Sequence, residues 1–183
     1  LDGEVAAQIR AGTIGPETYR RIFELVLRLK GNYVWPAMHV NAFNDDPANG
    51  SLADQLGIVI GTSHCDMLLR SNQHEFAPWA RKRPEPVVYD YSIPGSNREQ
   101  IREYWRGSVS QNAGYEVSWT LGMRGIHDSG FVTSAIDADD ALSDAGRQRE
   151  RVRLLRRIID DQRDLLTAEL GSRAAGALQL FIP

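Results

Sequence analysis

Cysteine is almost missing from this chain: of 183 residues only Cys65 carries a thiol. An internal disulfide framework is therefore excluded, while a lone thiol does not choose between a reducing and an oxidising compartment. A surplus of positive charge is missing as well, since 21 Lys and Arg meet 24 Asp and Glu, for a net charge of -3 and a pI near 5.8. That balance gives no electrostatic reason to expect nucleic acid or an anionic membrane surface as a partner. No apolar run approaches the roughly 20 residues that span a bilayer, and Leu1-Asp2-Gly3-Glu4 has neither the basic nor the apolar region of a signal peptide. Internal repeats, low-complexity tracts and a phosphate-binding glycine loop are absent too, and the last argues against a different barrel enzyme acting on small acids. What is present is a globular composition, 42% hydrophobic and 25% charged, enough to bury a core.

Periodicity orders the elements. Tyr19, Ile22, Phe23, Val26 and Leu27 recur at helical spacing behind Gly15-Pro16, which predicts an amphipathic helix ending near Lys30-Gly31. Ser96-Asn97-Arg98-Glu99 reads as a capping box opening a second helix with Ile101, Tyr104, Trp105 and Val109 as its buried stripe. A third helix is predicted from about Asp144 to Leu170, with Val152, Leu155, Ile158, Ile159, Leu165 and Leu166 on one face. Its arginines, Arg147, Arg149, Arg153, Arg156, Arg157 and Arg163, fit a solvated face rather than a binding patch. Between helices lie β-prone runs at 32–37, 57–61, 116–122 and 177–182, and segments 77–95 and 126–143 are expected as long connections. Strands alternating with helices predict an α/β fold with a parallel sheet. About four parallel strands and four helices make half of a (β/α)8 TIM barrel, so residues 1–183 are expected to be part of one barrel domain truncated at both ends.

Three of the β-prone runs stop at polar clusters. The run from Gly31 to Ala37 leads to Phe43-Asn44-Asp45-Asp46-Pro47. The run from Gly57 to Gly61 leads to Thr62-Ser63-His64-Cys65-Asp66, and that from Tyr115 to Met123 leads to Arg124-Gly125-Ile126-His127-Asp128. Three such junctions in one register suggest a carboxylate-lined site at one end of a parallel sheet.

With the helix Tyr19 to Lys30, the segment Asn32-Tyr33-Val34-Trp35-Pro36-Ala37-Met38 and the helix holding Asp161-Gln162-Arg163, these junctions form a co-linear series. That series resembles glycoside hydrolase family 115, the xylan α-glucuronidases. The resemblance implies a (β/α)8 catalytic domain within a larger, homodimeric enzyme. The implied reaction is inverting removal of glucuronic acid, or its 4-O-methyl ether, from the α-1,2 branches of glucuronoxylan or its oligosaccharides. The chain departs from the family where Asp66 and Met67 follow the histidine in place of a glutamate and a proline. The family's acid at the end of its first strand and its Tyr-Lys-Glu after the fifth are expected upstream of Leu1 and beyond Pro183. The start without Met also points to missing upstream sequence. Localisation is unknown, a secreted or periplasmic parent enzyme being one option.

Inverting hydrolysis needs one protonated carboxyl and one carboxylate roughly 6.5–9.5 Å apart. Asp128, in a glycine-containing loop behind a strand, is the candidate catalytic or water-orienting acid, against a loop-capping role. Arg124 is placed to fork onto a uronate carboxylate, against a structural salt bridge. Asn44, Asp45 and Asp46 suit sugar hydroxyls, but Asn-Asp-Asp-Pro is also good turn chemistry. Asp66 joins the substrate-binding candidates, its side chain one methylene shorter than the glutamate that the resemblance implies there. His64 is read as a donor to substrate with Cys65 turned into the core, because neighbours on an extended segment face opposite ways. Trp35 is expected to stack on a sugar or to be buried under loops, while Trp79, Trp105 and Trp119 read as packing residues. His64, Cys65, Asp66 and His74 do not match closed zinc-site spacing, so neither metal nor cofactor is expected. The competing reading is a barrel-derived domain that binds uronic-acid sugars without cutting them.

Overall fold

The computed structural model describes residues 14–39, 41–125 and 129–174. It is a mixed α/β chain, rich in helix. Helix α1, Pro16–Arg28, starts on a proline at its first turn, with Glu17 near its positive end and Arg28 near its negative end. Its inward face is narrower than the periodicity predicts. Tyr19 and Phe23 are buried and stack at 5.5 Å, whereas Ile22 and Leu27 stay more than a third exposed because little packs over their side of the helix among the described residues. The helix ends at Arg28, and the left-handed residue falls one position before the expected glycine: Lys30 takes φ 64°, and Lys30 N and Gly31 N close onto the carbonyls of Leu27 and Val26 at 2.9 Å each.

Strands β1, Tyr33–Val34, and β2, Val59–Ile60, pair in parallel with Tyr33 opposite Val59. Helix α2, Pro47–Gln55, joins them. On the other side of β2, Ile60 N donates to Glu116 O at 3.1 Å and Ser118 N to Ile60 O at 2.8 Å, a single parallel bridge centred on Val117. Instead of four strands, the described residues thus show two short ones and a bridge at 117, and the predicted strand 177–182 lies outside them. Gly61 closes β2 where a Cβ would collide with the Tyr33 hydroxyl, so glycine is what lets that ring lie across the strand end.

The segments expected as loops contain short helices: α3, Phe76–Ala80, and α5, Ser134–Asp137. Helix α4, Ser96–Asn112, buries Ile101, Tyr104, Trp105 and Val109 as predicted. Its capping box does not form. Gly95, at φ 72°, takes the cap position and accepts the Glu99 amide through its carbonyl, while the Ser96 hydroxyl turns to Glu85. Helix α6, Asp144–Leu170, is capped by Ser143 Oγ, which accepts from Gly146 N at 3.2 Å. Its buried stripe runs through Leu154, Ile158, Gln162, Leu165 and Leu166. Val152 lies outside the stripe at 54% exposure, the 3.6-residue repeat having carried it round to solvent. Arg149, Arg156, Arg157 and Arg163 are exposed on the opposite face.

The core gathers aromatic rings between α4 and its neighbours: Trp105 stacks on Tyr91 at 5.3 Å, and Tyr104 meets Phe76 edge-on at 5.3 Å. Trp105 and Trp119 are buried, and Trp79 packs against Tyr104 under the Arg83 guanidinium. Helix α6 is fastened to α4 by Arg102 to Asp161 at 3.0 Å and Ser110 to Glu169 at 2.7 Å. No helix among the described residues is long and apolar enough to cross a membrane.

Candidate functional site

Parallel pairing aligns the strand ends, so the chain leaving β1, β2 and the 117 bridge emerges on one side of the sheet. There a cleft of about 380 Å³ opens. The segment after β1 contributes Trp35, Pro36, Met38 and His39; the turn after β2 contributes Ser63 through Asp66; Asn72 and Gln73 form one wall, and Gly125 represents the loop after the third segment.

Of the predicted site residues, Trp35, His64 and Asp66 meet in this cleft. Trp35 is 53% exposed, and its indole N–H donates to the Tyr33 hydroxyl at 2.9 Å, which fixes the ring at the mouth rather than under the loops. Cys65 lines the cleft together with His64 instead of turning into the core. The reason is local: Asp66 N bonds back to Ser63 O at 3.2 Å and Thr62 Oγ1 donates to Asp66 O at 2.7 Å, so the segment is a turn and strand alternation does not apply. Burial pushes the Asp66 carboxyl up to about 6. The Ser63 hydroxyl at 3.3 Å and His64 pull it back, and Glu75 pushes the same way as burial. A carboxyl poised there exists in both protonation states near neutrality.

Arg124 stands next to Gly125 on the cleft rim, and its carbonyl accepts from Asn72 Nδ2 at 3.3 Å. Asp128 lies outside the described residues. The Asn44-Asp45-Asp46 cluster does not enter the cleft. Asn44 is buried against α4, where its amide donates to Leu69 O at 2.6 Å and Ser108 Oγ at 2.9 Å and accepts from Asn112 at 2.8 Å. Asp46 Oδ1 caps α2 through Ala48 N at 2.9 Å. Asp45 is exposed and faces His74 Nε2 at 3.5 Å. No group of three or more His, Cys, Asp or Glu among the described residues is arranged to hold a metal ion.

Three buried residues shape this end of the sheet: Gln162, which the sequence marks only as part of the family series, and Ser71 and Asn72, which it does not mark. Gln162 of α6 clamps Gly122, accepting its N–H at 2.7 Å and donating to its carbonyl at 2.8 Å, just before Arg124. Ser71 Oγ donates to Met38 O at 2.7 Å, and Asn72 Nδ2 donates to Cys65 O at 3.2 Å. Beneath them Glu75 accepts from Ser71 N at 2.7 Å and from Arg70 at 2.6 Å; burial raises its carboxyl even with that guanidinium beside it. A Ser-Asn pair in a connection reads locally as turn chemistry, and nothing in the sequence signals partners 33 to 52 residues away.

Known proteins converge on the same reading. Among curated proteins none matches the chain. A solved structure of a family GH115 4-O-methyl-α-glucuronidase, BtGH115A, with specificity for decorated arabinogalactans, is 34% identical and superposes with a TM-score of 0.73. The match covers 93% of this chain and 20% of that one, so the chain spans about a fifth of the length of this relative. The model of glycosyl hydrolase family 115 matches residues 3–183. With sequence and shape in agreement over nearly its whole length, the chain belongs to glycosyl hydrolase family 115.

Proposed function

We propose that the full-length protein is an inverting α-1,2-glucuronidase that removes (4-O-methyl)glucuronic acid branches from xylan, and that this chain supplies part of its (β/α)8 catalytic domain. The observation that carries the reading is the cleft itself: three segments leaving parallel strand ends converge on it, and it holds a carboxyl pushed up to about 6 beside a histidine and an exposed tryptophan. Asp128 takes the catalytic or water-orienting role, and Arg124 forks onto the uronate carboxylate. His64 and Asp66 bond sugar hydroxyls, and the Trp35 ring stacks on a sugar face. Asn44 and Asp46 support the turn, and Asp45 faces His74 outside the cleft, so none of the three is a sugar ligand in this reading. No metal or cofactor is needed for this chemistry, and the homodimer of the full-length enzyme rests on the family alone.

The test is the full-length protein on glucuronoxylan, with the first-formed anomer followed by proton NMR. Inversion releases the β-anomer of glucuronic acid first. Asp128→Asn should lower kcat by at least about 10²-fold with little change in KM or thermal stability. Release of the α-anomer first would end the inverting mechanism, and near-normal kcat in the variant would move the chemistry away from Asp128. A glucuronic-acid-decorated arabinogalactan forms a second substrate arm, because the solved relative acts on such polymers. Binding of either polymer without cleavage would favour the non-catalytic uronic-acid-binding reading.

A further inference from the structure

The cleft walls belong to segments far apart in sequence, and strand pairing alone does not set the distance between them. Bonding on the third segment continues past the 117 bridge to Thr120, whose carbonyl accepts from Leu68 N at 2.9 Å and whose hydroxyl donates to Thr62 O at 2.9 Å, and the 63–66 turn and the Arg124 loop lie beyond these bonds. Two consecutive residues add ties at the cleft itself. Ser71 Oγ holds the segment after β1 through Met38 O, and Asn72 Nδ2 holds both the turn after β2, through Cys65 O, and the loop after the third segment, through Arg124 O. Asn72 is only 9% exposed and lines the cleft, and its amide has the Tyr89 hydroxyl beside it. Both partners of Nδ2 are carbonyl oxygens, so the orientation of the amide is fixed: nitrogen toward the loops, oxygen away from them.

We propose that Asn72 is a positioning residue that sets the width of the cleft by tying the His64–Asp66 turn to the Arg124 loop. It touches no reacting atom; it acts through the residues it holds. The catalytic consequence rests on the glucuronidase reading above. An amide is the one neutral side-chain group of this size with two N–H donors on one atom, which is what two carbonyls from different loops require. Asp in its place would set carboxylate oxygens against those carbonyls, and Ala would leave both unpaired in a half-dry site.

The experiment uses the full-length protein with Asn72→Ala and Asn72→Asp, the first adding no charge and able to fold where the second does not. Two readouts are taken. The first is the rate of alkylation of Cys65 by iodoacetamide, followed by peptide mass spectrometry, since Cys65 lies in the tied turn and lines the cleft. The second is kcat and KM on glucuronoxylan. The expected result in either variant is at least a threefold faster alkylation and a kcat lower by at least tenfold, with KM changed less than threefold. A merely structural asparagine would lower melting temperature and leave the kcat of the folded fraction intact. An unchanged alkylation rate overturns the proposal, and so does faster alkylation with unaltered kcat. If the wild type releases no uronic acid, the glucuronidase reading fails separately, and the alkylation rate alone decides whether Asn72 ties the cleft.

Discussion

Asp66 occupies a place where negative charge is costly, between the Ser63 turn and the wall above Glu75. Its carboxyl binds a proton more readily in the folded chain than in the unfolded one, so its sign is opposite to that of a salt-bridged aspartate. The folded state is favoured while both forms are protonated, and that advantage drains away as pH rises from about 4 through about 6. Asp66→Asn keeps the acceptor for Ser63 and removes the titration. The variant should match the wild type near pH 4 and gain on it above pH 6, by about 1 kcal/mol, since water reaches part of the group and trims the full shift. Melting temperatures at half-unit pH steps measure this. A stability difference that is flat from pH 4 to 7 would mean that the carboxyl titrates normally.

At the scale of elements, the end of α1 shows how a sequence signal can be right in kind and displaced in place. Lys30-Gly31 marks the stop, but the hydrogen bonds put the left-handed residue at Lys30, leaving Gly31 with only a close approach to Val26. A β-carbon at positive φ costs on the order of 1 kcal/mol. Lys30→Gly should therefore stabilise the full-length protein against urea by about 0.5–1 kcal/mol without altering the slope, a lower midpoint being the outcome that would contradict it. The same limit governs the capping box. Ser96 and Glu99 have the right spacing, yet Gly95, preceded by Pro94, takes the cap position, so Ser96 falls inside the first turn and its hydroxyl turns to Glu85. Existence, order and burial of the long helices are legible because 3.6-residue periodicity survives any packing. The identity of caps, the short helices α3 and α5 and the exposure of Ile22 and Val152 depend on what packs alongside, which no local pattern records.

For the whole molecule, the placement of Trp35, His64 and Asp66 at the ends of successive β-prone runs is readable in one dimension, because parallel strands joined by helices must present the same end to the same side. Asn44 and Asp46 have the composition of sugar ligands and the positions of turn builders, and only the partners of Asn44 on Leu69, Ser108 and Asn112 separate the two roles. The roles of Ser71, Asn72 and Gln162 are invisible beforehand for the converse reason. Their work lies entirely in bonds that close over 33, 52 and 40 residues.

The pairing order has a consequence in time as well as in space. Among the described residues β1 pairs with β2, and β2 with the segment at 117, so each new segment docks on the one made just before it. Assembly can then keep step with synthesis, each segment closing the edge left open by the one before. Pulsed hydrogen exchange on ribosome-bound chains of increasing length should show the amides of Val59 and Gly61 protected once α2 and β2 have left the exit tunnel, and that of Ser118 only in longer chains. Protection of all three at a single chain length would show that the sheet closes in one concerted step instead.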